Sequence, residues 1–287
     1  MIAVFKKEFK SFFNGVVGCV FIAFLLCFTG IYVTYINLKG GYASFEYVLS
    51  NVTIVFLLIV PLLTMRSFAE EKHSKTDQLL YSLPISVTEV VIGKYLAMLA
   101  VFAIPVIIMA FYPFILSAFG YMAYKSAYLA LFGYYILGAA LIAICMFMSS
   151  LTSSQVISAV ISFGVLLLMN MMNLLSNLIP STASASLLCF AVLGVLIALL
   201  LYLLTKNITL SIAALTLMLG AIILIYLVNS AIFEGLFPTL VTYLAVFERF
   251  SALTGGIFDI TAIVYLVTFA VFFVYLTVQS VEKRRWS

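Results

Sequence analysis

Phe68-Ala-Glu-Glu-Lys-His-Ser-Lys-Thr-Asp-Gln-Leu-Leu-Tyr-Ser-Leu-Pro-Ile-Ser86 is a charged island between two long apolar runs, and it widens to Arg66–Lys94 when the flanking cations are counted. Elsewhere the chain is close to hydrocarbon. Of its 287 residues 66% are hydrophobic and 8% charged, too few polar groups to clothe a water-soluble globule. The class that follows is an all-α, polytopic integral membrane bundle. The net charge of +4 points to no nucleic acid, because the cations sit at the ends of apolar spans.

A transmembrane helix needs roughly 20 apolar residues. Outward from the island such windows fall at 16–36, 48–66, 92–118, 127–149, 155–177, 184–204, 208–229 and 259–280. Eight crossings put both termini on one side. With the amino terminus cytoplasmic, Lys6, Lys7, Lys10, Arg66, Lys72, Lys75, Lys94, Lys206, Lys283, Arg284 and Arg285 lie inside, and Lys39, Lys125 and Arg249 outside. Basic residues favour the cytoplasmic face, so both termini are expected there. Six crossings with a re-entrant element is the alternative count, and residues 1–287 form one transmembrane domain in either case.

Residues 1–14 carry Ile2, Phe5, Phe9, Phe12 and Phe13 at helical spacing, with Lys6, Lys7 and Lys10 opposite. The pattern predicts a helix lying in the interface, its phenylalanines in the acyl boundary and its lysines toward anionic headgroups. The apolar stretch that follows is too long for a signal core and reads as a retained first span. Cys19, Cys27, Cys145 and Cys189 all lie in apolar spans without metal-ligand spacing, and read as packing residues.

Within the cytoplasmic region 67–90, Glu70, Glu71 and Lys72 are expected to continue the second helix into water. From Ser74 to Leu83 the residues Leu79, Leu80 and Leu83 share one face, while Lys75, Asp77 and Gln78 lie largely elsewhere. That pattern describes a short amphipathic helix parallel to the membrane. Pro84 stops it. Ser86 and Glu89 then have capping-box spacing, with Ile85 and Val90 as the accompanying staple, so the third span starts at a defined point. Lys94, one turn in, is expected to snorkel back to the phosphates.

Along the fifth span Gln155, Ser158, Ser162, Asn170, Asn173 and Asn177 form a polar stripe interrupted at Leu166. Polar groups in the bilayer must face protein or a wet cavity. The stripe therefore faces either a wet pathway or packed helices, within the chain or at a dimer seam. In the extracellular segment 230–258 the residues Phe233, Phe237 and Leu240 repeat at helical spacing around Pro238, which reads as interfacial or re-entrant helices forming an external lid. Pro61, Pro105 and Pro113 are expected to kink the second and third spans. No catalytic constellation emerges: His73 is the sole histidine, so its Glu-x-x-His spacing from Glu70 lacks the second copy a di-iron bundle needs. No apolar span carries an acidic cluster for magnesium.

The order Glu70-Glu71-Lys72, Thr76, Leu79-Leu80, Ser82-x-Pro84 and Glu89-x-x-x-Gly93-Lys94 resembles the membrane subunit of type-2 ABC exporters. Phe258-Asp259 and the closing residues Phe273, Thr277, Val278, Glu282, Arg284, Arg285 and Trp286 resemble its gliding-motility-type branch. That resemblance implies a permease of a bacterial plasma membrane, pairing with a second copy or homologue and with two cytosolic ABC ATPase subunits. It makes 67–90 a coupling-helix region in which Glu70, Glu71, Lys75, Thr76, Asp77, Leu79, Leu80 and Leu83 meet the ATPase, the three leucines as anchors. It would also add to the external lid, at Phe233, Phe237 and Leu240, the role of an outer gate. ATP and Mg would bind in that partner and no cofactor in this chain, which has no Gly-x-x-x-x-Gly-Lys-Ser/Thr loop. An ion-coupled secondary transporter and a non-transporting membrane scaffold are the alternative functions.

Overall fold

The computed structural model describes residues 1–76 and 86–285. It is helical in every regular element, and each of the eight apolar windows holds helix. Among the described residues seven helices are long and apolar enough to cross a membrane: Val16–Lys39, Phe45–His73, Val87–Leu116, Tyr124–Leu151, Gln155–Leu178, Ile208–Val228 and Ile260–Arg284. The count reaches eight if Ser230–Tyr243 and Val246–Thr254 are taken as one span, and Ala183–Leu199 is a shorter apolar helix. The chain divides into two compact units, Met1–Leu168 with Val246–Ser287, and Met169–Ala245.

The first unit begins with α1 (Ile2–Asn14), which stops at the extended Gly15 before α2 (Val16–Tyr32). The first span continues as a π-helix, Val33–Lys39. The second span is assembled from α3 (Phe45–Val52), a 3-10 turn at Thr53–Val55, α4 (Phe56–Thr64) and α5 (Ala69–His73). Pro61 lies inside α4, and the turn Met65–Phe68 separates α4 from α5. The third span is α6 (Val87–Met109) and α7 (Tyr112–Leu116), with Pro105 inside the first and Pro113 at the start of the second. The break at Ala110–Phe111 agrees with Pro113, which has no amide to donate to the Met109 carbonyl four residues back.

At the centre stands α8 (Tyr124–Leu151), followed by α9 (Gln155–Leu178). A helix that is apolar all round belongs inside a bundle, and the whole run Ala140–Met146 of α8 is buried. Around α8 pack α3, α4, α6, the short α13 (Val246–Thr254) and the last helix α14 (Ile260–Arg285). Their aromatic rings form one cluster: Phe56 stacks on Tyr134 at 4.5 Å, Phe102 stacks on Tyr135 at 5.4 Å, and Phe21 and Phe250 close the two sides. Two glycines of α8 admit this packing. A Cβ at Gly133 would meet Leu253 at 2.6 Å, and one at Gly138 would meet the Phe102 ring at 2.3 Å.

The second unit is a hairpin of α10 (Ala183–Thr205) and α11 (Ile208–Val228). Lys206 takes a left-handed conformation to end α10, and the Asn207 side chain then caps α11 by accepting from the Thr209 and Leu210 amides. A 3-10 turn at Ser230–Phe233 and α12 (Leu236–Tyr243) follow. Phe233 and Phe237 both close edge-on against Phe190 of α10, at 6.0 and 5.1 Å. The Gly235 amide donates to the Ser181 carbonyl at 2.9 Å.

Replacing Gly138 by alanine drives a methyl group into the Phe102 ring. The Gly138→Ala variant should lose about 1–3 kcal/mol of stability, measured as a lower thermal midpoint in detergent. Gly164→Ala, where the added carbon meets nothing within 4 Å, should leave the midpoint unchanged or slightly raised, since alanine is the better helix former.

Candidate functional site

The island begins where α4 ends, and its described part is a polar cluster built from four elements. α1 lies against α6 because Gly93 has no side chain: a Cβ there would stand 3.1 Å from Val4 and 3.2 Å from the Met1 carbonyl. Val4 is accordingly buried, whereas Ile2 and Phe13 stay exposed. On the other face of α1, Phe5, Phe9 and Phe13 stack in a row. α1 thus offers one side to α6 and another to its surroundings.

Lys94 is the centre of the cluster. Its side chain is 2% exposed, and its Nζ donates to Glu71 Oε1 at 2.8 Å, to the Ser67 carbonyl at 2.9 Å and to Glu8 Oε1 at 3.1 Å. The same ammonium lies over the Phe68 ring, 5.3 Å from its centroid. The expectation that Lys94 snorkels to the phosphates is therefore corrected. It turns inward because two carboxylates and a carbonyl satisfy all three of its protons, which removes the cost of burying a charge. Lys7 completes the balance at 3.8 Å from Glu8 and 3.9 Å from Glu71. Two cations and two anions thus share one site, part of it buried.

Glu71 is held in place by the way α5 ends. The Thr76 amide donates to the Glu71 carbonyl at 3.0 Å, the Lys75 amide donates to the Lys72 carbonyl at 3.4 Å, and Lys75 is left-handed at φ 57°. This is the Schellman stop, usually made by glycine. A lysine in that conformation costs roughly 1 kcal/mol, offset here by Ser74 Oγ donating to the Glu70 carbonyl and meeting Thr76 Oγ1 at 3.0 Å. Ser74–Thr76 therefore form the end of one helix and not the first turn of a new one, a second correction. Asp77, Leu79, Leu80, Leu83 and the Pro84 turn lie outside the described residues.

Two serines at the end of α8 tie the cluster to the bundle. Ser149 Oγ accepts from the Phe68 and Ala69 amides, both at 3.3 Å, and donates to the Met65 carbonyl at 3.3 Å. It supplies partners that the first turn of α5 cannot make within itself. Lys72 Nζ donates to the Ser150 carbonyl, and Ser150 Oγ meets Ser280 Oγ of α14 at 3.1 Å. Where the chain resumes, Ser86 Oγ accepts the Glu89 amide at 3.2 Å and caps α6, while the Glu89 carboxylate lies 3.4 Å from the Met1 amino group. Glu8, Ser67, Ser149 and Ser150 escaped the sequence reading. For Glu8 a signal existed: it is the sole acid of residues 1–14 and stands four residues from Val4.

The other predicted residues are not brought to this cluster. In the first unit Ser158 and Ser162 are buried, Gln155 is half-buried, and Leu166 continues the same buried line. In the second unit Asn170 and Asn173 are half-buried and Asn177 is exposed. Phe233 is buried, Phe237 half-buried, and Leu240 exposed. Of the remaining island residues Glu70, Lys75 and Thr76 are exposed, whereas Glu71 is held by Lys94.

The family model described as ABC-2 family transporter protein matches residues 3–214, a range that runs from α1 through the whole island and α10 to the first turns of α11. No curated protein and no solved structure matches the chain.

Removing the Lys94 charge strands two carboxylates. Lys94→Gln should cost about 3–5 kcal/mol, and adding Glu71→Gln should restore part of the lost thermal midpoint. In a chain whose native cysteines are replaced, Val4→Cys should be protected from a soluble maleimide and become reactive when Lys94→Gln is added. Unchanged protection would show that the buried ammonium does not hold α1.

Proposed function

We propose that this chain, which belongs to the ABC-2 transporter family, is the permease half of an ATP-driven exporter and passes the work of cytosolic ABC ATPases into its own spans. A multi-pass membrane permease is what the family and the seven apolar helices establish. Export, the ATPase contact, a second copy or homologue as partner, the bacterial plasma membrane and cytoplasmic termini belong to the proposal. ATP and Mg would act in the partner chain, where the phosphoryl chemistry takes place.

The observation that carries the reading is the set of ties beneath the island. A force applied to residues 70–76 meets no slack, because Glu71 is bonded to Lys94 of the third span. The amides that open α5 are bonded to Ser149 of the fourth span, and Ser150 beside it touches Ser280 of the last. Displacement at the end of the second span thus reaches three other spans through direct polar contacts. A loop without mechanical duty gains nothing from a buried ammonium and a lysine in the left-handed region. A partner gripping the island would act on α5 at its end, where the exposed Glu70, Lys75 and Thr76 would form the polar rim of that contact.

The buried Ser158 and Ser162, with Gln155, Asn170, Asn173 and Asn177, supply hydrogen-bonding groups along one span. Such groups suit an amphiphilic cargo, in which polar atoms need partners during passage through a low-dielectric cleft. Peptides, lipids and apolar drugs share that chemistry.

Expressed with a cytosolic nucleotide-binding subunit, the chain should co-purify with it and show ATPase activity that neither protein has alone. Deleting Lys75–Leu83 should abolish both, and a complex that survives the deletion would refute the coupling role. His73→Cys should react with an impermeant maleimide only after the cytoplasmic face is opened.

A further inference from the structure

Beside the Lys94 cluster lies an open cleft of about 740 Å3, lined by α1, the start of α2, the turn at Met65–Phe68 and α5 with its end at Ser74–Thr76. Its walls present Lys7, Lys10 and Arg66 as cations, with Ser11 and Asn14 between them. Glu8, Glu70 and Glu71 line it too, as does the buried Lys94. Lys94 and Lys7 balance Glu8 and Glu71. What remains is Lys10 and Arg66 against Glu70, a surplus of one positive charge. Lys10 and Arg66 are exposed and have no hydrogen bond or ion pair to any described residue.

A second hollow, of about 160 Å3, runs from the same place between the first and second spans. Its lining is wholly apolar: Val17, Val20, Phe24, Ile59, Leu62 and Met65 are its main walls. The two hollows share Val17, and Met65 of the apolar one is followed in the chain by Arg66 of the polar one. Val20 and Leu62 are about half exposed although they point into hydrocarbon-lined space. The combined shape is that of an amphiphile, an anion-binding head joined to a slot of acyl-chain character.

We infer that this paired hollow is a binding site for one anionic phospholipid, with its phosphodiester between Lys10 and Arg66 and an acyl chain along Val20 and Leu62. The single surplus charge matches a single phosphodiester. Ser11 and Asn14 offer uncharged donors to the remaining phosphate and glycerol oxygens. The site lies against α1 and the turn that carries Ser67 and Phe68, so a bound lipid braces the far side of the Lys94 cluster. It is a fixed lipid of the permease and not its cargo, and the inference does not depend on the ATPase reading.

Native mass spectrometry of the full chain in a neutral detergent tests it, with phosphatidylglycerol, phosphatidylcholine and glycerol phosphate as probes. Phosphatidylglycerol should be retained at least fivefold more strongly than phosphatidylcholine. Lys10→Gln and Arg66→Gln should each weaken that retention about fivefold, since a basic residue near anionic lipid is worth about 1 kcal/mol. Both substitutions are on exposed side chains and should leave the fold intact, which the thermal midpoint checks. Leu62→Trp should fill the slot and lower retention with both cations in place, whereas glycerol phosphate should not compete. Equal retention of the two lipids, indifference to Lys10→Gln and Arg66→Gln, or displacement by glycerol phosphate would each overturn the proposal. So would a Val20→Cys variant that links two copies by a disulfide, since a second chain would then occupy the slot.

Discussion

An ammonium group at the edge of a hydrocarbon layer must reach water or find anions, and Lys94 finds anions. The polar end of the first unit is arranged around that choice. Glu71 comes to it from the end of the second span, Glu8 from α1, and the Ser67 carbonyl from the turn between α4 and α5. If the ammonium left, two part-buried carboxylates would face each other without their shared counter-charge and would repel. Coulombic attraction here acts less as a source of net stability than as a selector of geometry: one arrangement of four segments satisfies it.

Small hydroxyl groups extend that arrangement into the bundle. Ser149 and Ser150 stand at the end of α8, the most deeply buried of the apolar spans among the described residues, and use their side chains and a backbone carbonyl to bind the start of α5, Lys72 and α14. A larger residue at 149 would fill the space that the Phe68 and Ala69 amides need to enter. The polar base and the aromatic core beneath it, with Phe56, Phe102 and Tyr134, are therefore two layers of one structure. The upper layer aligns helix ends, and the lower one keeps them from sliding.

Much of this was legible in the chain itself, and the parts that were not share a cause. Apolar length predicts the spans, since the bilayer imposes it residue by residue. The Ser86 cap is local and shows in three residues. Lys94 was misread because its partner Glu8 lies 86 positions away, and nothing in local spacing separates a lysine that reaches phosphates from one that reaches a carboxylate. The end of α5 was misplaced because the left-handed residue there is Lys75, where glycine is the usual signal. α8 carries no amphipathic pattern, so periodicity marks it as a span without revealing that the others gather round it. The resemblance in Gly93-Lys94 now has a physical reading: the first residue makes room for α1 and the second fastens it.

The docking of α1 also sets an order of events during synthesis. Glu8 and Val4 emerge first, but their partners, Lys94 and Gly93, are made only after two complete spans have been synthesised. Until then the three lysines of α1 are unattached at the membrane surface, free to bias the direction of insertion. Once the third span arrives, the same helix is clasped and its charge is partly neutralised. One short stretch thus serves two successive roles, an orienting signal for the young chain and a structural brace for the mature one.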